Sequence, residues 1–582
     1  MRPDERNDSG PGATGAAPEP LGSRPELAAI IAQALDLHER GQLDTAEELY
    51  LKILQADSNH FTATHALGVI KSQRGEYSAA LELIGKALQL NPRSAMAHMN
   101  MGIALWRLHR PEEALLHHQY SLILKPDHAD AYMNRAIALH GLGRHEEAIA
   151  NYDKCLSIEP GHALANSNKI FVLDYVPRYG FEEHQAERHR YYEAQAKRFE
   201  GEAHTYLNAR DPERPLVLGY VSADFRRHSA ASCFGPVLRR HDRERFKVVC
   251  YSGVLEEDDW TRNFQGGADL WRKTVNVSDE ELAAQIRADA VDVLIDLSGH
   301  SEGNRLLVFA RKPAPVQVTA WGGGGGTGLP MIDYLFTDPV HIPAWARPLF
   351  AEKAHDLPCN ITFEAAEDAP EVSDLPALRQ GFLTFGCLNR TMKITPAALD
   401  LWAQILEALP DAKLLLKDGL LDDFQAQERM RGGFTDRGID PDRLLLRGRT
   451  SHREHLAAYG EVDIALDTFP HNGGITTWEA LWMGVPVVTL PGNKPSSRIS
   501  ASILHALELD AWVAENEEGY LRLAVRQAAN LDALQRFRQE IRARIAASPA
   551  GNPELYTRAV EAAYRSMWRE WLEPNREVSG KP

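Results

Sequence analysis

Cysteine is scarce in this chain. Its 582 residues hold five, Cys155, Cys233, Cys250, Cys359 and Cys387, far apart and without a CxxC pair. Neither a disulfide framework nor a zinc site is indicated, and the usage predicts a cytoplasmic protein. Long apolar runs are missing as well: no uninterrupted stretch of about 18 residues could cross a bilayer. Residues 1–23, rich in Pro, Gly and Ala, lack the apolar segment of a signal peptide and read as a disordered tail. Positive charge is the third shortage. Lys and Arg total 64 against 81 Asp and Glu, a formal charge of −17, which argues against broad binding to nucleic acid or an anionic membrane. An anionic ligand would need a local site. The length itself excludes a single core and predicts several modules.

What is present first is a repeat. At an offset of 34 residues, the tetratricopeptide period, Ala34, Gly68, Gly102 and Ala136 fall on one position and Ala46, Ala80, Ala114 and Ala148 on another. Gly41, Gly75 and Gly143 end first helices, with His109 in the third repeat's slot, and Pro92, Pro126 and Pro160 follow second helices. The spacing predicts a tetratricopeptide superhelix over 24–162, each helix pair burying its apolar face against the next. One further position reads Ala66, Asn100, Asn134 and Asn168. Asn is a poor helix former, but its amide can both donate to and accept from an extended backbone, so Asn100, Asn134 and Asn168 are candidates for gripping a protein or peptide in a groove. Incidental polar residues on a solvated face are the alternative.

Residues 163–211 read as a capping helix and connector, and from about Arg214 the pattern changes. Apolar runs such as LVLGYVS, FKVVCYS, DVLIDLSG and PVQVTAW alternate with helical segments, and FLTFGCL, KLLLK, RLLLRG, DIALDTF and PVVTL continue after an acidic break. Near-continuous apolar strands between helices predict parallel sheets covered on both faces. Two doubly wound Rossmann-like domains are expected, 212–362 and 380–545, joined by a linker at 363–379 and followed by a C-terminal helix and tail at 546–582. Such sheets bind ligands at the carboxyl ends of their strands. The stretch DTFPHNGGITTWEALW sits at one such end: bare glycines where a helix begins let an anion, phosphate above all, approach the unpaired N–H groups.

The repeats followed by GYVSADFRRHS, DLSGHSEGNRLLVFARKPAPVQV, FGCLNRTMKITPAALDLWAQIL and LDTFPHNGGITTWEALWMGVPVVTL resemble the O-GlcNAc transferase/SPINDLY family of glycosyltransferases, over roughly residues 27–545. The resemblance implies a GT-B fold and inverting transfer of a sugar from a nucleotide diphosphate to Ser or Thr hydroxyls of proteins. It implies no metal and no cofactor. The donor is UDP-GlcNAc in the animal enzymes and GDP-fucose in the SPINDLY branch.

By this resemblance Lys393 contacts the diphosphate and neutralises the leaving group. Gly473, Gly474, Thr476 and Thr477 form the phosphate turn, with Asn389 and Asn472 in the same nucleotide-sugar set. Glu479 falls where a carboxylate meets the ribose, and His455 beside the base. His228 matches the acceptor-side histidine, either as general base, which a neutral imidazole suits, or as a hydrogen-bonding group alone. His300 is placed at the acceptor side or in a structural loop. Neither Asp440–Asp442 nor the His452/His455 pair makes a persuasive metal site. Two departures stand out. Gly474 and Ile475 replace a histidine and a hydroxyl of the animal donor turn, and Gly322 to Gly326 replace a loop that carries Tyr and Pro in the family. Five glycines in a row predict either a mobile acceptor loop or weakened catalysis. An inactive scaffold and a sugar-nucleotide epimerase are the competing readings.

Overall fold

A computed structural model of the protein describes residues 24–201 and 206–573, so the predicted tail at 1–23 and the last residues of 546–582 lie outside the described residues. The chain forms two compact units that divide between Ile158 and Glu159.

The first unit is a run of helix pairs: α1 (Arg24–Glu39) with α2 (Leu43–Ala56), α3 (Phe61–Gln73) with α4 (Tyr77–Leu90), α5 (Ala95–Arg107) with α6 (Pro111–Leu124), and α7 (Ala129–Gly141) with α8 (His145–Ile158). The repeat positions explain the packing. Ala34, Ala46, Ala80, Ala114, Ala136 and Ala148 are fully buried, and a methyl group at Gly68 would lie 2.6 Å from Ile84 Cγ1. Gly41, Gly75 and Gly143 turn the chain at φ +74, +78 and +75, and His109 adopts φ +58 in the equivalent slot, a left-handed backbone that costs a side-chain-bearing residue more than glycine. Asn100 and Asn134 are half-buried on α5 and α7. Their amides already have internal partners: Asn100 Nδ2 lies 3.0 Å from His65 Nε2, and Asn134 Nδ2 donates to Asp130 O at 2.8 Å.

The second unit opens with α9 (Ala163–Leu173), which carries Asn168, and α10 (Phe181–Tyr191). Lys494 Nζ closes the end of α9, donating to the carbonyls of Leu173, Asp174 and Val176 at 3.2, 3.3 and 2.7 Å. A cation suits a helix C-terminus with orphan carbonyls.

Two parallel sheets follow. The first contains β1 (Leu216–Ser222), β2 (Phe246–Ser252), β3 (Leu270–Lys273), β4 (Val293–Asp296), β5 (Val316–Thr319), β6 (Tyr334–Thr337) and β7 (Lys353–Asp356), in the order β3-β2-β1-β4-β5-β6-β7. Its helices are α11 (Ser229–Arg240), α12 (Asp259–Gly267), α13 (Asp279–Ala288) and α14 (Leu306–Ala310). The second lobe starts with α15 (Pro376–Gln380). Its sheet holds β8 (Thr384–Cys387), β9 (Lys413–Lys417), β10 (Leu444–Arg447), β11 (Ile464–Leu466) and β12 (Val487–Val488), ordered β10-β9-β8-β11-β12. Around it lie α16 (Pro396–Ala408), α17 (Phe424–Thr435), α18 (His452–Ala458), α19 (Ile475–Trp482), α20 (Ile499–Ala506), α21 (Glu517–Ala528) and α22 (Leu531–Ala547). Each order reverses beside its first strand, between β1 and β4 and between β8 and β11, as doubly wound sheets do.

β3, β6 and β7 have no counterpart among the apolar runs of the sequence. β3 and β7 are the sheet's edges, and their LWRK and KAHD sequences are only partly buried; charged edges are how sheets avoid further pairing. β6 (YLFT) is buried but four residues long. The chain then returns. α23 (Pro553–Leu572) leaves the second lobe and packs on the first, with Tyr564 OH 3.2 Å from Tyr220 OH and Glu561 Oε1 3.1 Å from His241 Nδ1.

Candidate active site

At both switch points the loops leaving the strand ends carry the residues singled out by the sequence. In the second lobe, β8 runs into Asn389 and Lys393, and β11 into the turn before α19.

That turn is built from buried polar groups. Asp467, at the end of β11, accepts from Gly473 N at 2.7 Å and Thr489 Oγ1 at 2.6 Å. Asn472 N donates to Ser496 O at 2.9 Å and Asn472 Nδ2 to Thr468 O at 2.8 Å. Thr477 Oγ1 lies 2.7 Å from Ser500 Oγ, which reaches Gly473 O at 3.1 Å. Asn472 and Thr477 are thus committed to shaping the turn. A methyl group on Gly473 would meet Thr477 Oγ1 at 2.6 Å and Thr476 Oγ1 at 2.8 Å, so this glycine makes room for the hydroxyls. α19 begins at Gly474 without a side-chain cap, and the amides of Gly474, Ile475 and Thr476 have no hydrogen-bond partner among the described residues. An open helix N-terminus of this kind attracts an anion. Trp478 anchors the helix, stacked on Phe363 at 5.8 Å between ring centroids.

Lys393 faces the same turn. It ends a short 3₁₀ turn, Thr391–Lys393, that Asp418 fastens by accepting from Thr391 N and Oγ1 at 2.8 and 2.7 Å. Its Nζ donates to Asn472 O at 2.8 Å. Burial pushes the Lys393 ammonium down to about 8, against the pull of Asp467 and with a further push from Arg390. Asn389 is buried, its Nδ2 3.3 Å from Thr468 Oγ1 and its Oδ1 accepting from Arg390 N at 3.0 Å. A pocket lined by Leu388, Asn389, Asp467, Thr476 and Thr477 opens here.

Farther along α19, Glu479 Oε1 lies 2.9 Å from His452 Nε2 and Oε2 lies 3.6 Å from His455 Nε2. Burial opposes ionisation of this carboxyl, but the two histidines outweigh it and hold Glu479 below the usual range, while Glu479 raises His452. His455 Nε2 thus lies farther from Glu479 than His452 Nε2 does, a pairing the sequence did not disclose.

In the first lobe, β1 leads to His228, which caps α11: its Nδ1 accepts from Ala230 N at 3.3 Å and lies 3.5 Å from Asp224 Oδ2. Burial lowers His228, Asp224 raises it, and Arg226 and Arg390 lower it further, with a net downward shift. The imidazole is therefore neutral at physiological pH. The two Nδ1 partners demand opposite tautomers: accepting from Ala230 puts the proton on Nε2, whereas donating to Asp224 leaves Nε2 free to take a proton. Asp224 is a carboxylate neighbour of His228 that sequence reading missed.

β4 leads to His300, which is buried. Its Nε2 lies 2.8 Å from Thr327 O and its Nδ1 3.4 Å from Ser167 Oγ on α9, and burial pushes it down to about 3. Both ring nitrogens are occupied, Nε2 on the loop after β5 and Nδ1 on α9. Nor is that loop exposed throughout: Gly325 to Gly328 are buried, while Gly323 is exposed. Asp440 and Asp442 lie in a turn, where Asp440 caps a 3₁₀ segment by accepting from Asp442 N.

Two α/β lobes, each offering polar loops at its switch point, define a GT-B-like architecture that follows the tetratricopeptide helices in the sequence. Comparison with known proteins carries this further. The glycosyl transferase family 41 model matches residues 194–363 and 374–560, and the chain belongs to that family. Tetratricopeptide models match residues 65–120 and 129–162. The "Probable UDP-N-acetylglucosamine--peptide N-acetylglucosaminyltransferase SPINDLY" of Solanum lycopersicum is 37% identical over 374 residues, 63% of this chain and 40% of that protein. The protein of the same description but called SEC, from Arabidopsis thaliana, is 30% identical over 61% of this chain and 37% of its own length. The chain thus spans about two fifths of these relatives. A solved lysine-to-methionine mutant of the Thermobaculum terrenum O-GlcNAc transferase superposes with a TM-score of 0.74 at 31% identity, over 94% of this chain and 98% of that one.

Proposed function

We propose that the protein is an O-glycosyltransferase that moves a sugar from a nucleotide diphosphate to Ser or Thr hydroxyls of proteins, with inversion and without a metal. The observation that carries this reading is the uncapped start of α19 with Lys393 beside it. Open amides and a cation together suit a diphosphate whose charge grows as the sugar departs. The repeat unit supplies helices on which acceptor proteins can be held, and Asn100, Asn134 and Asn168 are the proposed grip. His228 takes the acceptor proton if Asp224 claims its Nδ1–H.

UDP-GlcNAc is the proposed donor, in keeping with the descriptions of the relatives. GDP-fucose is a second reading, favoured by the higher identity to the SPINDLY protein than to the SEC protein. Incubation of the chain with each donor and a protein lysate, followed by mass analysis of protein and nucleotide, tests both. An N-acetylhexosamine or deoxyhexose mass added to protein names the donor; nucleotide release without protein modification, or neither, rejects protein transfer.

A further inference from the structure

The glycine run is held from its buried side. Gln185 Nε2 on α10 donates to Gly325 O at 2.8 Å, and Arg188 Nε donates to Gly326 O at 3.0 Å. From before β7, Glu352 Oε1 accepts from Thr327 N at 2.6 Å, Thr327 Oγ1 at 2.5 Å and Gly328 N at 3.2 Å. His300 Nε2 takes up Thr327 O. Each residue from Gly325 to Gly328 therefore has a backbone group bonded to a side chain from elsewhere, and Gln185, Arg188, His300 and Glu352 are all buried.

Steric contact repeats the message. A methyl group at Gly325 would overlap Arg188 Nη2, one at Gly324 would overlap His341 Cε1, and Gly326 and Gly328 have φ +75 and +76. At Gly323 the nearest atom to such a group is Ser298 O, 4.0 Å away. A methyl group at Gly322 would overlap Leu297 O, so Gly323 is the open point of the run. Arg188 and Glu352 are charges taken out of water, a costly arrangement unless each is well bonded, and each spends bonds on this loop. Arg188 is braced in turn: its Nη1 donates to His184 O at 3.1 Å.

We propose that Arg188 and Glu352 are positioning residues of the transferase: they clamp Gly325–Gly328 from the buried side so that Gly323, the exposed point of the run, is presented beside the ends of β4 and β5 in one conformation. This rests on the transferase reading. The stiffness that Tyr and Pro would lend such a loop comes here from outside it.

The test uses the full chain and the variants Arg188→Met, Arg188→Lys and Arg188→Met/Glu352→Gln. The double variant removes both of these buried charges, so it separates positioning from folding. Arg188→Met should lower kcat for transfer by about 10- to 100-fold, the scale of a small misplacement of reacting groups, with UDP affinity unchanged and faster amide exchange confined to 322–328. Arg188→Lys should recover part of kcat, and the double variant should melt close to the wild type yet stay slow. Wild-type kcat in Arg188→Met, or in the double variant, overturns the proposal, as does unchanged exchange at 322–328. A wild-type chain that transfers no sugar defeats the transferase reading itself, which an active wild type with an indifferent Arg188→Met does not.

Discussion

Two glycine-rich turns at strand ends, Gly322–Gly326 after β5 and Gly473–Gly474 after β11, look alike in sequence and are opposites in structure. Around the first, side chains from α10 and from before β7 consume the backbone groups of its second half. Around the second, buried Asp467 and Ser500 take up only Gly473, and the amides that start α19 are left open. The first turn is pressed by side chains from outside it; in the second, Gly473 makes room for the hydroxyls of Thr476 and Thr477. Glycine marks close approach in both cases, and only the neighbours say of what.

The contrast assigns chemistry to different lobes, and variants can break it. His228→Ala should lower turnover most, by about 10²–10⁴-fold if the imidazole is the base, with UDP affinity intact. Lys393→Ala should cost about 10²–10³-fold by analogy with a lost oxyanion donor, and should weaken UDP binding as well. Steady-state kinetics with parallel calorimetry distinguishes the two; equal losses of UDP affinity would merge roles that the lobes are claimed to divide. Gly324→Ala should destabilise the fold by about 1–3 kcal/mol through overpacking against His341, whereas Gly323→Ala should stay within about 0.5 kcal/mol in urea unfolding.

A smaller effect follows from Lys393. Because burial pushes its ammonium down to about 8, the charge proposed to meet the phosphate is present below that pH and lost above it. UDP affinity should therefore fall as pH rises from 7 to 9, by no more than about tenfold per unit, and the dependence should vanish in Lys393→Ala. Least of all is the repeat ladder. Replacing Asn100, Asn134 and Asn168 with Ala should weaken transfer to limiting protein acceptor by at most about 1 kcal/mol per bond, discounted because two of the amides already have internal partners. UDP binding should not change.

Much of this architecture was legible in the sequence because it depends on period. A 34-residue offset and buried parallel strands leave patterns in the chain, down to His109 standing in a glycine's turn. The edge strands β3 and β7 were not legible, since solvent on one side removes the apolar run. Motif resemblance placed Lys393, Gly473 and Thr476 together, but it could not say that the hydroxyl of Thr477 and the amide of Asn472 are spent on the turn itself. Nor could it show the partners that act from a distance: Asp224 beside His228 is four residues away, yet His452 reaches Glu479 across 27 positions, and Arg188 reaches the glycine run across 138. Burial decides those roles, and burial is a property of the fold.

The most direct test is calorimetric titration of UDP, and of GDP in parallel, into the full chain and into Lys393→Ala at pH 7. An open helix start with a neighbouring cation predicts saturable binding of one UDP per chain, weakened in the variant. Absence of binding by both UDP and GDP, or equal affinity in wild type and variant, would contradict the assignment of the α19 turn and Lys393 to the donor diphosphate.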